Sequence, residues 1–300
     1  MHSTVIREVV PPGSEPSEMA REDSCYSDYS MGRLHGHTVV IKYGGAAMEE
    51  PHLRDLFARD IASLRAAGTR PVIVHGGGPQ ISRLMKRSGK TPRFVAGMRV
   101  TDDETMVLVE SALRQINEEI VRLIEHQRVP VAGFGGWEKS LIGASRRLHV
   151  LPTGESLDLG RVGDVASVNA RPIRELQERA IVPVLAPVGI GGDALTYNIN
   201  ADLVAGEVAA VLGASLVVFL TDVPGIVAPD GCRYRRLSRW GADSLVHDGA
   251  IDGDMLPKVE AAVRALKGGA GQAHIIDGRT PHALIRSLRT RHGLGTEIVL

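Results

Sequence analysis

Two apolar runs end in glycine clusters, and together they restrict the start of this chain to a βαβ unit. Val39-Val40-Ile41-Lys42-Tyr43-Gly44-Gly45 is a β-branched run that closes on a lysine and two glycines, and Pro71-Val72-Ile73-Val74-His75-Gly76-Gly77-Gly78 repeats the arrangement. Between them Leu53, Leu56, Phe57, Ile61 and Leu64 form one helical stripe that Gly68 ends. Residues without a Cβ let backbone N–H groups approach an anion, and a helix that starts after such a turn adds its positive end to the same spot. The pattern points to phosphate chemistry with Lys42 supplying charge. Neither segment is the Gly-x-x-x-x-Gly-Lys-Ser/Thr loop of P-loop enzymes, and such a segment alone is more often a tight strand-to-helix turn than a phosphate cradle.

The alternation continues along the chain. Thr101 with Glu104 reads as a capping box, and Met106, Val109, Leu113, Ile116, Ile120 and Leu123 give a long buried stripe after it. A strand is expected over 129–134, hairpins in the Gly-, Pro- and Arg-containing stretch that follows, a short helix opened by Pro172, and a strand over 181–185. Residues 200–212 read as a helix stopped by Gly213, and 215–220 as a strand buried on both faces. Segments 259–266, 273–276 and 281–288 extend the series, and no repeat of fixed period occurs. Helices alternating with buried strands imply an α/β fold, a three-layer αβα sandwich around a mostly parallel central sheet, with ligands at the carboxyl ends of the strands. Residues 1–36, with Pro11, Pro12, Gly13 and Pro16, bury little and are expected to be a mobile extension.

Composition removes several classes of function. The 300 residues carry 35 basic and 35 acidic side chains, and a net charge of zero argues against an electrostatic nucleic-acid binder. The four arginines within residues 233–239 read as a solvated face or a local phosphate contact. Cys25 and Cys232 are too few for a disulfide framework or a metal cluster, which suits a reducing cytoplasm. No run approaches the ~18 apolar residues of a membrane span, and the first 36 residues lack the pattern of a secretory signal.

A third set of segments narrows the reading. Thr196-Tyr197-Asn198-Ile199-Asn200-Ala201-Asp202 precedes an apolar helix and then Leu216-Val217-Val218-Phe219-Leu220-Thr221-Asp222-Val223-Pro224-Gly225. With Phe94-Val95-Ala96-Gly97-Met98-Arg99-Val100-Thr101-Asp102, Met255-Leu256-Pro257-Lys258-Val259 and Ala273-His274-Ile275-Ile276-Asp277-Gly278-Arg279-Thr280-Pro281-His282-Ala283-Leu284, the order resembles the amino acid kinase family and, within it, the acetylglutamate kinases. The resemblance covers about residues 37–300. It implies an acceptor lobe over about 37–195, a nucleotide lobe over about 196–300, a homodimer, and transfer of phosphate from ATP, with Mg2+ arriving on the nucleotide, to the side-chain carboxylate of N-acetyl-L-glutamate in arginine biosynthesis.

The same resemblance assigns roles. Lys42 and Lys258 match the pair that stabilises the transferring phosphoryl group, and Asp202 matches the residue that orients both. Gly44 and Gly45 on the nucleotide side, and Gly77 and Gly78 on the acceptor side, supply backbone donors. Arg99 offers a planar fork to the α-carboxylate, its alternative being an ion pair with Asp102 or Asp103. Asn198 and Asn200 fall on the acceptor, although asparagines before a helix are also ordinary caps, and Thr221 and Asp222, at the end of a buried strand, fall on the adenosine, the alternative being a simple turn through Pro224-Gly225. A carboxylate acceptor is already ionised at neutral pH, so no general base is needed and His75 is read as a packed histidine. No His or Cys cluster suggests a resident metal.

Three positions depart from the family pattern. Gly135-Gly136-Trp137-Glu138-Lys139-Ser140 replaces an Asp-Gly-Asn-like turn near the acceptor, and Asp254 introduces a carboxylate four residues before Lys258. The extension lacks the amphipathic helix of arginine-inhibited members, although Arg291-His292-Gly293-Leu294-Gly295-Thr296 resembles their tail; weak or absent inhibition by arginine is expected. Two alternatives stay open at this level: the same chemistry on a related N-acylated amino acid, and a catalytically silent amino-acid-binding regulator.

Overall fold

The computed structural model describes residues 32–136, 138–151, 153–228, 230–289 and 294–300. The expectations for residues 1–31, for Trp137 and for Arg291, His292 and Gly293 lie outside the described residues.

Strand β1 (Thr38–Tyr43) leads through a one-turn helix α1 (Ala46–Glu49) into α2 (Pro51–Ala66) and β2 (Arg70–His75), which lies parallel to β1. Helix α3 (Gly78–Arg87), a small hairpin of β3 (Phe94–Val95) and β4 (Met98–Arg99), and the long helix α4 (Asp103–Glu125) follow. Next come β5 (Val131–Gly135), β6 (Ile142–Val150), β7 (Ser156–Val168), α5 (Ala170–Glu178), β8 (Val182–Ala186), β9 (Val188–Gly191) and β10 (Thr196–Ile199). The chain then runs through α6 (Ala201–Leu212), β11 (Leu216–Thr221), β12 (Arg236–Ser238), α7 (Arg239–His247), α8 (Leu256–Lys267), β13 (Gln272–Asp277), α9 (Ala283–Arg289) and β14 (Thr296–Val299).

Eight strands form one sheet in the order β12-β14-β13-β11-β1-β2-β8-β5. Only the β13–β14 pair is antiparallel. Each central strand is apolar on both faces because helices cover both sides. In β1, Val39, Ile41 and Tyr43 pack with Phe57, Ile61, Leu113 and Leu284 from α2, α4 and α9, whereas Val40 packs with Val204, Val208 and Val259 from α6 and α8. The sandwich expected from the alternation is therefore present. The expected hairpins exist as β6 and β7, and with β9 and β10 they close into a small barrel. Among the described residues, no helix is long and apolar enough to cross a membrane.

The start of α4 differs from the capping-box reading. Asp102, not Thr101, is the cap, accepting a hydrogen bond from Thr105 N at 2.7 Å. Thr101 is already committed, because its N–H pairs with Leu159 O at 2.9 Å and its hydroxyl donates to Arg99 O at 2.8 Å. The pairing holds Thr101 as a strand end, so the helix starts one residue later.

Helices α6 and α8 touch closely at Gly206, where a Cβ would lie 2.6 Å from the Ala261 carbonyl oxygen. A side chain there must push α8 away, since the obstacle is backbone. Gly206→Ala should destabilise the fold by ~1–3 kcal/mol, read as a lower urea midpoint; unchanged stability would show that the two helices separate freely.

Candidate active site

The carboxyl end of β1 carries Lys42, and the first turns of α6 and α8 carry Asp202 and Lys258. All three side chains are buried. Asn200 caps α6, its Oδ1 accepting from Asp202 N at 2.7 Å and Leu203 N at 3.4 Å, and this turns the Asp202 carboxylate toward the sheet end. Lys42 Nζ lies 3.2 Å from Asp202 Oδ1, and Lys258 Nζ donates to Asp202 Oδ2 at 3.3 Å and to the Asp254 carbonyl at 2.9 Å. The Lys42 contact is ionic without hydrogen-bond alignment, so Asp202 Oδ1 accepts no directed bond. Burial raises the Asp202 carboxyl, and Lys42 and Lys258 together overcome this and hold it below the ordinary carboxylate range. One ionised carboxylate between two ammonium groups leaves a net positive charge in a buried place.

That cluster opens onto a cleft of about 240 Å³ lined also by Gly44, Gly45, Gly77, Gly78, Arg99, Asn198 and Asn200. Arg99 is buried, its Nη2 donating to Gly78 O and Ser82 Oγ, both at 2.9 Å, and its guanidinium lying 4.7 Å from the centre of the Phe94 ring. The ion pairs considered for Arg99 go elsewhere: Asp102 contacts Lys90 at 3.2 Å and Asp103 contacts Arg161 at 2.6 Å. Among the described residues Arg99 therefore has no carboxylate partner. A buried cation held only by neutral groups favours an anion beside it.

Thr221 and Asp222, at the end of β11, lie outside the lining of this cleft. The Asp222 carboxylate accepts from Ala46 N at 2.7 Å and rests against Gly45, whose positive φ of 67° and lack of a Cβ both suit the contact. Asp222 thus braces the Gly44–Gly45 turn. Asp254 is exposed, and the group it presents to Lys258 is its carbonyl. Sequence reasoning missed Ser82 and the Gly78 carbonyl, which cradle Arg99; the i, i+4 spacing of these two on α3 was the available signal. Among the described residues, no group of three or more His, Cys, Asp or Glu is placed to hold a metal ion.

His75 ends β2 and is fully buried, which pushes its imidazole down to about 4 from an ordinary value of 6.5. The folded state prefers the neutral ring, so its contribution is complete above pH 6.5 and is lost as pH falls toward 4. Between pH 7 and pH 5 this one group should remove about 2 kcal/mol of stability. Urea unfolding of the wild type and of His75→Asn at the two pH values checks it: equal slopes would mean that His75 is not the group that titrates.

A sequence model of the amino acid kinase family matches residues 37–277. The chain is 46% identical over 271 residues to the acetylglutamate kinase of Burkholderia thailandensis, spanning 89% of this chain and 90% of that one, and 45% identical over the same shares to that of Burkholderia ambifaria. Among solved structures, it is similar to N-acetylglutamate synthase from Neisseria gonorrhoeae complexed with coenzyme A and N-acetyl-glutamate, with a TM-score of 0.81 and 26% identity over 94% of this chain and 63% of that one. Carbamate kinase from Giardia lamblia bound to citric acid shares the fold, with a TM-score of 0.65 at 16% identity over 88% of this chain and 98% of that one. By the family match and the shared identity, the chain belongs to the amino acid kinase family.

Proposed function

We propose that this chain transfers the γ-phosphoryl group of ATP to the side-chain carboxylate of N-acetyl-L-glutamate, making the acyl phosphate of arginine biosynthesis. The observation that carries the reading is one cleft holding both a buried arginine without a carboxylate partner, Arg99, and the Lys42–Asp202–Lys258 cluster. The curated acetylglutamate kinases at 45–46% identity support the same reaction.

In this reading Arg99 takes the α-carboxylate, Asn198 meets the acyl-amino portion, and Asn200 serves both as cap and as cleft wall. The side-chain carboxylate attacks phosphorus, the bond to the ADP oxygen breaks, and ADP leaves. The attacker is already ionised, so no proton has to be removed. What remains is to bring two anions together. Lys42 and Lys258 neutralise charge on the moving phosphoryl group, Gly44, Gly45, Gly77 and Gly78 donate from the backbone, and Asp202 keeps both ammonium groups in place. The acceptor occupies a lobe over about 37–195, and the nucleotide one over about 196–300, near Thr221 and Asp222. Magnesium would arrive with the nucleotide and supply positive charge to the phosphates, since the cleft carboxylate Asp202 is committed to two lysines. A cytoplasmic homodimer completes the proposal.

Both alternatives remain distinguishable. A related N-acylated acid would use the same cluster, whereas a silent binder has no need of two lysines around one aspartate. ADP release with N-acetylglutamate, glutamate, aspartate and N-acetylaminoadipate decides among them, N-acetylglutamate being expected to turn over fastest. Lys42→Met and Lys258→Met should each lower kcat by ~10²–10³ with modest effects on ground-state binding; near-normal turnover would remove either from catalysis. Arg99→Lys should weaken the acceptor and leave ATP binding nearly unchanged, because a point charge does not reproduce a two-pronged contact. Light scattering should return a dimer, and a stable hexamer strongly inhibited by arginine would contradict the expectation for the extension.

A further inference from the structure

The Gly76–Gly77 turn is held from behind by a chain of hydrogen bonds whose proton positions are fully determined. The Val184 carbonyl only accepts, so the Asn117 atom 3.1 Å from it is the amide nitrogen. The second hydrogen of that nitrogen points to His75 Nε2, also at 3.1 Å. Nε2 must then carry a lone pair. His75 Nδ1 lies 2.8 Å from the Gly76 carbonyl, another pure acceptor, so Nδ1 carries the proton. The neutral ring that burial enforces is the only form compatible with both contacts.

The opposite side of the same peptide is the N–H of Gly77, a residue that lines the cleft. No cis bond occurs among the described residues, and in a planar trans peptide the carbonyl and the following N–H point in opposite directions. With the Gly76 carbonyl drawn toward the imidazole, the Gly77 N–H is directed away from it, and Gly77 lines the cleft. The Gly76 N–H is itself bonded to Tyr43 O at 2.7 Å, so the turn is tied to β1 as well. Gly133 on β5 leaves room for the Asn117 amide, since a Cβ there would collide with Asn117 Oδ1.

The geometry points to His75 as a positioning residue: through one fixed tautomer, set by Asn117, it aims the Gly77 N–H at the oxygens of the reacting carboxylate and phosphoryl group. This rests on the acceptor-site reading above and assigns to His75 a role outside acid–base chemistry. Imidazole donation to the carbonyl also polarises the peptide and strengthens its N–H as a donor. An error of ~1 Å at such a donor lowers turnover about 10²-fold.

Four variants and two readouts test it. His75→Asn keeps a donor where Nδ1 stands, His75→Leu keeps bulk alone, Asn117→Asp offers Nε2 an acceptor instead of a donor, and Gly133→Ala displaces Asn117 from the far side. Nitrogen-15 NMR of the full chain should find Nδ1 protonated and Nε2 bare in the wild type, and Nε2 protonated in Asn117→Asp. Turnover should fall about 10²-fold in His75→Leu, fall partly in Gly133→Ala, and return to near wild type in His75→Asn, with KM for ATP unchanged throughout. A wild-type Nε2–H tautomer, or equal activity of His75→Asn and His75→Leu, overturns the proposal. The tautomer is read without substrate, so the predicted tautomer in a chain that fails to phosphorylate N-acetylglutamate would count against the proposed reaction and not against the clamp. If His75→Leu does not fold, the NMR of Asn117→Asp still decides.

Discussion

A single carboxylate, Asp202, holds the two halves of the lysine cluster in register. It touches Lys42 from the first strand and Lys258 from a helix more than two hundred residues later, in a place where neither ammonium group is well hydrated. Removing either lysine leaves a better balanced pair, but removing the carboxylate leaves two buried like charges, which is the costlier change. The surplus positive charge is what the cluster contributes in the proposed reaction. Everything else in the fold serves to bring these three side chains to one point.

The sheet does most of that work. Parallel strands all present their carboxyl ends on one side, so the turns after β1, β2 and β11 meet without any long excursion of the chain. Helices α6 and α8 lie on one face, with contact close enough that Gly206 has no room for a methyl group, and their amino ends deliver Asp202 and Lys258 to the same edge. Backbone packing sets the distance between the charges, and the flexible lysine stems make only the final adjustment.

Much of this was legible in the sequence, because it was written locally. Strand, glycine turn and helix each depend on a few neighbouring residues, which is why β1, β2, α2 and α6 were foreseen. The family resemblance brought Lys42, Asp202 and Lys258 together where periodicity had no means to do so. The misread cap and the contacts that local pattern did not show share a cause. Thr101 looked like a cap until a distant strand claimed its N–H, and the Asp222 carboxylate meets Ala46 N across 176 positions of chain. His75 and Asn117 stand 42 positions apart and meet only because α4 packs over β8, the strand beside β2. Arg99 offered several partners on paper, and only the fold reveals that both nearby aspartates are occupied.

The pairing of β1 with β11 has a consequence in time. Val39 lies beside Leu216 in the sheet, so β1 is synthesised long before the strand that covers its second edge. At ~5–20 residues per second, on the order of ten seconds or more separates the two segments. During that interval β1 can pair with β2 on one edge while its other edge, Val39, Val40 and Ile41 included, stays open to solvent or to other chains. The pairing that completes the sheet under Lys42 thus also leaves an apolar strand edge uncovered while the chain between is made.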